Sequence, residues 1–218
     1  MFACRFCGGS CVRKGWQSNQ QKLLCRSCGK YQQATYSKRR ISDDNQQMIV
    51  TLNNEGCSVS SIARILGFSK STICRTIEKI GGKRIFKLPM EAGQDYELDE
   101  LRTFVGNKKS ECWLIYALNK TTKNIVSFFI GKRTKENIGR VTEELKKLSP
   151  KSIRTDRLNL YPGLIEKAIH QSRKRVTNHI ERKNLHLRQQ LRRLQRKTIC
   201  FSKSERMLHN SVLLFLTS

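Results

Sequence analysis

Three carboxylates stand out in this chain because their surroundings are strongly basic. The 218 residues hold 43 Lys or Arg against 17 Asp or Glu, a formal net charge of +26. Glu181 lies within residues 170–206, which contain twelve basic residues and two acids, while Asp99 and Asp156 lie in or directly after apolar segments. A carboxylate among bases that bind a polyanion repels that partner unless a divalent cation lies between them. The pattern therefore predicts an acidic metal site with Asp99, Asp156 and Glu181 as ligands.

The elements that must position these carboxylates follow from apolar periodicity. Three apolar-rich runs separated by turn-forming residues predict antiparallel strands at 96–105, 112–118 and 124–131. Thr134 is predicted to cap a helix that ends near Leu148. The remaining predicted elements are a strand at 151–155, a short helix at 161–169, a strand at 173–176 and a long helix at 177–197.

This order of elements is that of an α/β ribonuclease H-like core, which has a mixed five-stranded sheet with helices. In such a core the middle of the first strand, the end of the fourth and the start of a late helix converge, so the three carboxylates would meet. Together they could bind two Mg²⁺ (or Mn²⁺) ions for an in-line phosphoryl displacement. Strand alternation puts Glu97 on the same face as Asp99 and Glu100 on the other, so the pattern alone leaves Glu97 as an alternative ligand.

The long helix predicted at 177–197 also suggests a DNA-contacting surface. Ile180, Leu187 and Leu194 belong to a helical core stripe, and Glu181 lies on its flank together with Arg188 and Arg192. We predict that both arginines contact the phosphate backbone of DNA. The alternative for Glu181 is a solvent-exposed ion pair with one of these arginines.

Two Cys-x-x-Cys units near the N-terminus predict a structural zinc site. Seventeen residues separate the units, and Gly8 and Gly29 follow them. Each unit places two thiolates on one side of a turn, and two such turns complete a tetrahedral site with no open coordination position. The predicted ligands of one Zn²⁺ are Cys4, Cys7, Cys25 and Cys28. Cys11 is a spare thiol that could substitute for one of them.

Residues 58–80 have the pattern of a helix-turn-helix. Small Ala63 allows two helices to approach closely, and Gly67 tolerates the positive φ of a tight turn. The second helix opens with polar and basic residues where a recognition helix meets the major groove. The predicted DNA contacts there are Ser69, Lys70, Ser71, Thr72 and Arg75. A protein-binding helical hairpin is the alternative.

Composition limits the partner and the compartment. Residues 1–88 hold 16 bases and 4 acids, which favours double-stranded DNA as the partner. No apolar run approaches the roughly 18 residues of a membrane span, and the first residues lack a signal-peptide pattern. We therefore expect no membrane association and a cytoplasmic, nucleoid-associated protein of a bacterium or archaeon. The predicted organisation is a zinc ribbon (1–36), a helix-turn-helix domain (37–82), a linker (83–94) and a catalytic domain (95–218).

Several motifs together are typical of one family. They are the paired Cys-x-x-Cys units, the helix-turn-helix, Leu98-Asp99-Glu100, Thr155-Asp156, residues 177–185 (TNHIERKNL) and residues 194–203 (LQRKTICFSK). On these features the chain resembles transposases of the insertion sequence 1 family over nearly its whole length. One departure is that Leu101-Arg102-Thr103 follows the Asp-Glu pair, where the family often has an aromatic residue.

The resemblance implies an Asp-Asp-Glu catalytic triad, and it favours Asp99 over Glu97. It further implies Mg²⁺, terminal inverted repeats and target DNA as substrates, a homodimer or larger assembly on DNA, and cleavage followed by strand transfer. Two other classes remain as alternatives, a DNA-binding regulator with an inactive core and a nuclease of the same fold that does not join DNA.

Overall fold

The computed structural model describes residues 2–17, 19–35, 41–87, 92–172 and 178–218. The chain divides into two compact units, Met1–Ser42 and Asp43–Ser218. The first contains both Cys-x-x-Cys units. The second contains the helix-turn-helix and the five-stranded sheet.

The first unit is a small antiparallel sheet whose strands follow one another in chain order. Its core contains Leu23 and three buried cysteines, Cys4, Cys11 and Cys25. So few apolar side chains bury too little surface to hold a fold of this size without a further constraint. The strands are β1 (Phe2–Ala3), β2 (Ser10–Gln17), β3 (Gln20–Cys25) and β4 (Tyr31–Gln33).

Three helices open the second unit, and they form where the sequence predicts a helix-turn-helix. Gly67 ends the second helix at φ 65°, and its N–H donates to the carbonyl of Ala63. Ser69 then caps the third helix, because its hydroxyl accepts the N–H of Thr72 at 3.1 Å. The helices are α1 (Asp43–Asn54), α2 (Val59–Leu66) and α3 (Lys70–Gly81).

A mixed five-stranded sheet forms the rest of this unit, in the order β7-β6-β5-β8-β9. The first three strands are antiparallel, whereas β8 and β9 run parallel to β5. The strands are β5 (Asp95–Phe104), β6 (Glu111–Asn119), β7 (Ile125–Gly131), β8 (Ser152–Thr155) and β9 (His170–Ser172). This arrangement fits the predicted α/β, ribonuclease H-like core.

Helices cover both faces of the sheet. Helix α4 (Lys135–Lys146), capped by Thr134 as predicted, packs Ile138 and Val141 against Leu98 and other apolar residues of one face. Helices α5 (Asn178–Gln190) and α6 (Glu205–Leu216) pack on the opposite face, around residues such as Leu114. Apolar side chains therefore point to both sides of the central strands.

The structure corrects two predicted elements and adds a helix that the sequence analysis does not predict. Residues 161–169 form turns and an isolated bridge rather than a helix, because Gly163 adopts φ 85° directly after Pro162. The helix predicted to reach residue 197 ends at Gln190, where Leu191 turns to extended backbone before a short 3-10 helix (Arg192–Leu194). Helix α6 was not predicted. The strand predicted at 173–176 lies outside the described residues, and His170–Ser172 form β9.

The helix-turn-helix packs against helix α6 of the sheet-containing core within one compact unit. Gly81 lies against Asn210, and the amide of Asn53 donates to the carbonyl of Ser211 at 3.1 Å. The segment predicted as a linker also contacts the core, since Arg84 donates to Thr217. Within the described residues, no helix combines the length and the apolar character that a membrane span requires.

Candidate active site and cysteine cluster

The pairing of β5 with β8 brings Asp99 and Asp156 together. The last pair of this parallel ladder is Glu97 with Arg154, and Asp156 follows directly after β8. Continuing that register by two residues sets Asp156 opposite Asp99. These two candidate ligands therefore converge as the sequence predicts.

A network of hydrogen bonds holds Asp156 in place. Its carboxylate accepts the N–H of Leu158 at 2.9 Å, which closes a tight turn after β8. Its backbone carbonyl accepts hydrogen bonds from the hydroxyls of Thr155 and Ser172, each at 2.9 Å. The side chain is exposed, so its second oxygen is accessible to a ligand.

Glu100 joins this pair, although the sequence analysis did not select it. One carboxylate oxygen each from Asp99, Glu100 and Asp156 lie within 4.8 Å of one another. Tyr161 donates a hydrogen bond to Glu100 from the face opposite to Asp99. Because β8 ends at Thr155, this part of β5 is a free edge, and side chains from both of its faces can approach Asp156. Strand alternation alone does not predict that Asp99 and Glu100, which lie on opposite faces, can both reach Asp156.

Burial disfavours the charged forms of these carboxylates. It raises the pKa of Asp99 to about 6, and the charges of Asp156 and Glu181 add to the effect, opposed by hydrogen bonds from Glu100 and Asn184. Burial likewise raises the pKa of Glu100 to about 7, although the Tyr161 hydrogen bond lowers it. A bound cation would relieve this crowding of negative charge.

Glu181 lies in the first turn of α5 and is exposed. It is not part of the three-carboxylate cluster, but it shares with Asp99 and Glu100 a cleft of 640 Å³. Its charge also acts on Asp99. The structure thus brings two of the three predicted ligands into one cluster and places the third in a cleft that Asp99 also lines.

The predicted arginines differ in their placement. Arg188 lines the cleft, and its guanidinium donates to the carbonyls of Arg102, at 3.0 Å, and Leu194. Arg192 does not share the flank of Glu181, because α5 ends at Gln190; it lies near Gly56 instead. The cleft also contains three cations that the sequence analysis did not assign, Arg102, Lys108 and Arg196.

Helix α3, the second helix of the predicted motif, presents most of the predicted DNA contacts to solvent. Lys70, Ser71 and Arg75 are exposed, and Thr72 is half-buried. Ser69 is exposed as well, but its hydroxyl is also the cap of the helix. These residues form a polar and basic surface on the first turns of α3.

The four predicted zinc ligands form one cluster in the first unit. Their sulfurs lie within 4.8 Å of one another, with 3.7 Å between Cys4 and Cys28 and 3.6 Å between Cys7 and Cys25. A tetrahedral zinc with Zn–S bonds of about 2.3 Å holds its sulfurs about 3.8 Å apart, so the spacing fits this ion. Cys11 pairs with Cys25 across β2 and β3 but is not one of the four.

Backbone N–H groups point at two of these sulfurs, as a thiolate requires. Phe6 donates to Cys4 at 3.4 Å, and Cys28 donates to Cys25 at 3.5 Å. The hydrogen bond from Cys28 is the main cause that lowers the pKa of Cys25 to about 6, and that from Phe6 lowers the pKa of Cys4. Cys4 and Cys25 therefore favour the ionised form that binds a metal. The backbone hydrogen bond from Gly9 lowers the pKa of Cys7, but side-chain hydrogen bonds with Cys28 and Cys25 outweigh it and raise that pKa to about 12.

A mixed α/β core with clustered carboxylates next to a helix-turn-helix is typical of a DNA-processing enzyme. Comparison with known proteins agrees with this class. Residues 95–217 match the model of the IS1 transposase family, and residues 37–79 match a helix-turn-helix domain. The chain belongs to the IS1 transposase family and is a DNA-binding member of it.

Curated relatives carry the same assignment. The chain is 39% identical over 117 residues to insertion element IS1 4 protein InsB of Escherichia coli (strain K12), covering 54% of this chain and 70% of that protein. The IS1 protein InsB of Shigella sonnei is also 39% identical over 117 residues, which cover 54% of this chain and 88% of that protein. Among solved structures, a simian T-cell lymphotropic virus intasome in complex with PP2A regulatory subunit B56 gamma aligns with a TM-score of 0.35 and 12% identity, covering 66% of this chain and 58% of that one.

Proposed function

We propose that this protein binds the terminal inverted repeats of an insertion element and carries out metal-dependent DNA strand cleavage and strand transfer. The observation that carries the proposal is the cluster of Asp99, Glu100 and Asp156, two members of which, Asp99 and Glu100, line a cleft together with Glu181. Carboxylate oxygens at this spacing suit Mg²⁺ or Mn²⁺, which prefer oxygen ligands.

We assign the catalytic metal ligands as Asp99, Asp156 and Glu181. Two bound ions would supply an activated nucleophile and stabilise the leaving oxygen of an in-line displacement. Asp99 and Asp156 would hold the ions at the free edge of β5, and Glu181 would contribute a ligand from α5 across the cleft. Glu100 is a further carboxylate at this edge, oriented by Tyr161.

The cations that line the cleft have a separate role in the proposal. Arg102, Lys108, Arg188 and Arg196 would contact phosphates that flank the scissile bond. Arg188 is already oriented by the two backbone carbonyls to which it donates. Arg192 has no role at the cleft in this proposal. It could contact a DNA phosphate beside α1 and α2 instead.

The remaining parts of the chain would select the DNA. In this proposal α3 lies in the major groove through Lys70, Ser71, Thr72 and Arg75, with Ser69 at its start. The four-cysteine cluster would hold one structural Zn²⁺ and make the first unit a zinc ribbon with phosphate-binding basic residues. A homodimer or larger assembly would be needed to hold two element ends at once.

A strand-transfer assay tests the catalytic part. Wild-type protein, Mg²⁺, a labelled DNA end of the element and a target plasmid are incubated, and joined and cleaved products are measured. We expect Asp156→Asn to abolish joining while binding to the labelled end stays intact, because the substitution removes a charged metal ligand. Glu143→Gln, an exposed acid on α4, is the matched control and should join like wild type.

The outcomes separate the three classes of function. Joined product that Asp156→Asn abolishes supports a transposase. Cleavage without joining by wild type would indicate a nuclease, and binding without either reaction would indicate a regulator. Full joining activity in Asp156→Asn would show that the catalytic assignment is wrong.

A further inference from the structure

Glu97 is a buried carboxylate that the proposed chemistry does not use. Its side chain is 1% exposed, and its Oε2 accepts the N–H of Ile180 at 2.8 Å. Ile180 is the third residue of α5, and N–H groups of a first turn have no partner within the helix. A carboxylate at this end also interacts favourably with the helix dipole. Glu97 therefore links the start of α5 to the first half of β5.

Tyr116 and Asn184 make a second connection between the sheet and the same helix. Tyr116 lies on β6 directly opposite Asp99. Its hydroxyl is 2.9 Å from Oδ1 of Asn184 and 3.2 Å from the carbonyl of Ile180, and it shares its single proton between these acceptors. Asn184 in turn donates from Nδ2 to Oδ2 of Asp99 at 2.7 Å.

The direction of these hydrogen bonds fixes the orientation of the Asn184 side-chain amide. Because the phenol donates to Oδ1, the amide NH₂ group faces Asp99, and the reverse orientation would set two oxygens against each other. The other oxygen of Asp99 accepts the N–H of Glu100 at 2.8 Å. Both carboxylate oxygens of Asp99 are thus oriented by the protein, each with a lone pair left for another ligand.

We propose that Glu97, Tyr116 and Asn184 are positioning residues that lock the register of α5 against β5 and so fix Glu181 relative to Asp99. Glu181 directly follows Ile180, and Asn184 lies three residues later on a neighbouring part of the helix surface. A slide of α5 by one turn, about 5.4 Å, would break the contacts to Ile180 and Asn184 together. This inference rests on the proposed metal site.

Glu97 is assigned here as a helix cap and not as a metal ligand. It lies on the same face of β5 as Asp99, but it is bound to a helix N-terminus and does not line the cleft. As a cap, it needs an oxygen acceptor and no charge. As a metal ligand, it would need the charge. Glu97→Gln keeps an acceptor and removes the charge, so this variant separates the two roles.

The test measures Mn²⁺ binding to the full chain by calorimetry, with thermal unfolding measured in parallel. Tyr116→Phe and Asn184→Leu should each weaken Mn²⁺ binding about tenfold, because residues that orient metal ligands typically contribute 10- to 100-fold to affinity. Glu97→Leu should weaken it similarly and lower the unfolding temperature, whereas Glu97→Gln should recover most of both. Gln189→Ala, exposed on α5, is the control with wild-type affinity.

Three results would count against these assignments, and each has its own meaning. If Tyr116→Phe and Asn184→Leu bind Mn²⁺ like wild type while Asp99→Asn does not, the positioning role is wrong and the metal site stands. If Glu97→Gln loses as much affinity as Asp99→Asn, Glu97 is a ligand. If Asp99→Asn leaves Mn²⁺ binding unchanged, the proposed metal site fails, and this inference fails with it.

Discussion

Glu97, Asp99 and Glu100 show how three neighbouring acids acquire different roles. All three lie within four residues of one strand, and alternation groups Glu97 with Asp99. In the structure Glu97 meets the start of α5, Asp99 meets Asn184, and Glu100 meets Tyr161. Their roles depend on which elements pack against β5, and the sequence of β5 itself does not contain that information.

Glu100→Gln should have opposite effects on stability and on metal binding. At pH 8, above its raised pKa of about 7, the Glu100 carboxylate is charged and partly buried beside two other acids. Removing that charge should stabilise the metal-free protein by about 1–3 kcal/mol, since each unit of the rise in pKa from 4.5 corresponds to at most about 1.4 kcal/mol. Mn²⁺ affinity should fall several-fold. Thermal unfolding and calorimetry measure the two effects.

Glu143→Gln is the control for this prediction, because Glu143 is an exposed acid on α4, away from the cleft. It should change neither quantity. If Glu100→Gln lowers the unfolding temperature of the metal-free protein, the crowding of negative charge described for this cluster is wrong.

Cys25→Ser and Cys11→Ser should differ in zinc content although the two residues pair across the same strands. Cys25 belongs to the four-thiol cluster, whereas Cys11 packs beside it and its thiol faces the carbonyl of Gly9. Metal analysis of purified protein should find about one zinc in wild type and in Cys11→Ser, and little in Cys25→Ser. Binding to the DNA end should weaken in Cys25→Ser. Absence of zinc from the wild-type protein would contradict the ribbon assignment.

At the scale of elements, the strands were easier to predict than the ends of helices. The three antiparallel strands are apolar runs between turn-forming residues, and both signals are local. No local signal marks the end of α5 at Gln190, because Leu187, Leu191 and Leu194 keep helical spacing and all three are buried, although Leu191 and Leu194 lie beyond the helix. The incorrect prediction of a helix at 161–169 could have been avoided from local sequence, because Pro162-Gly163 is a turn signal.

The missed helix α6 explains a second difference from expectation. A segment between the helix-turn-helix and the sheet was predicted as a linker. Yet α3 and α6 pack closely, and Gly81 lies where any larger residue would meet Asn210. Composition identifies a turn-rich connection, but it cannot show that the flanking elements dock on one another.

Gly81→Ala should test this docking. A Cβ added at Gly81 would lie 2.5 Å from Oδ1 and 2.7 Å from Cβ of Asn210, so one of the two helices must shift. Overpacking of this kind costs about 1–3 kcal/mol. Gly139→Ala on α4 is the matched control, since its Cβ would meet Leu164 at an ordinary 3.6 Å. That change should be neutral or stabilising by up to about 1 kcal/mol, because alanine favours helices. Equal unfolding temperatures in the two variants would contradict close packing of α3 on α6.

At the scale of the whole molecule, charge is distributed unevenly along the chain. Residues 1–42 contain nine basic residues and no acid, while the carboxylates of the proposed active site all lie in the second unit. A chain with a net charge of +26 binds any DNA through phosphates, and such binding weakens steeply with salt. Recognition of a particular DNA end therefore has to come from a few side chains that contact bases.

Arg75 is the side chain for which we predict such a contact, because it is exposed on α3 beyond the capped first turn. Arg75→Ala should weaken binding to the element's own end by about 1–3 kcal/mol, the usual contribution of a bidentate base contact. Binding to an unrelated duplex of the same length should change much less. Lys146→Ala removes the same charge from the exposed surface of α4 and should leave the preference for the element's end unchanged. Fluorescence anisotropy with both duplexes at several salt concentrations measures these effects. If Arg75→Ala weakens binding to both duplexes equally, Arg75 contacts phosphate alone, and the base reader lies elsewhere on the protein.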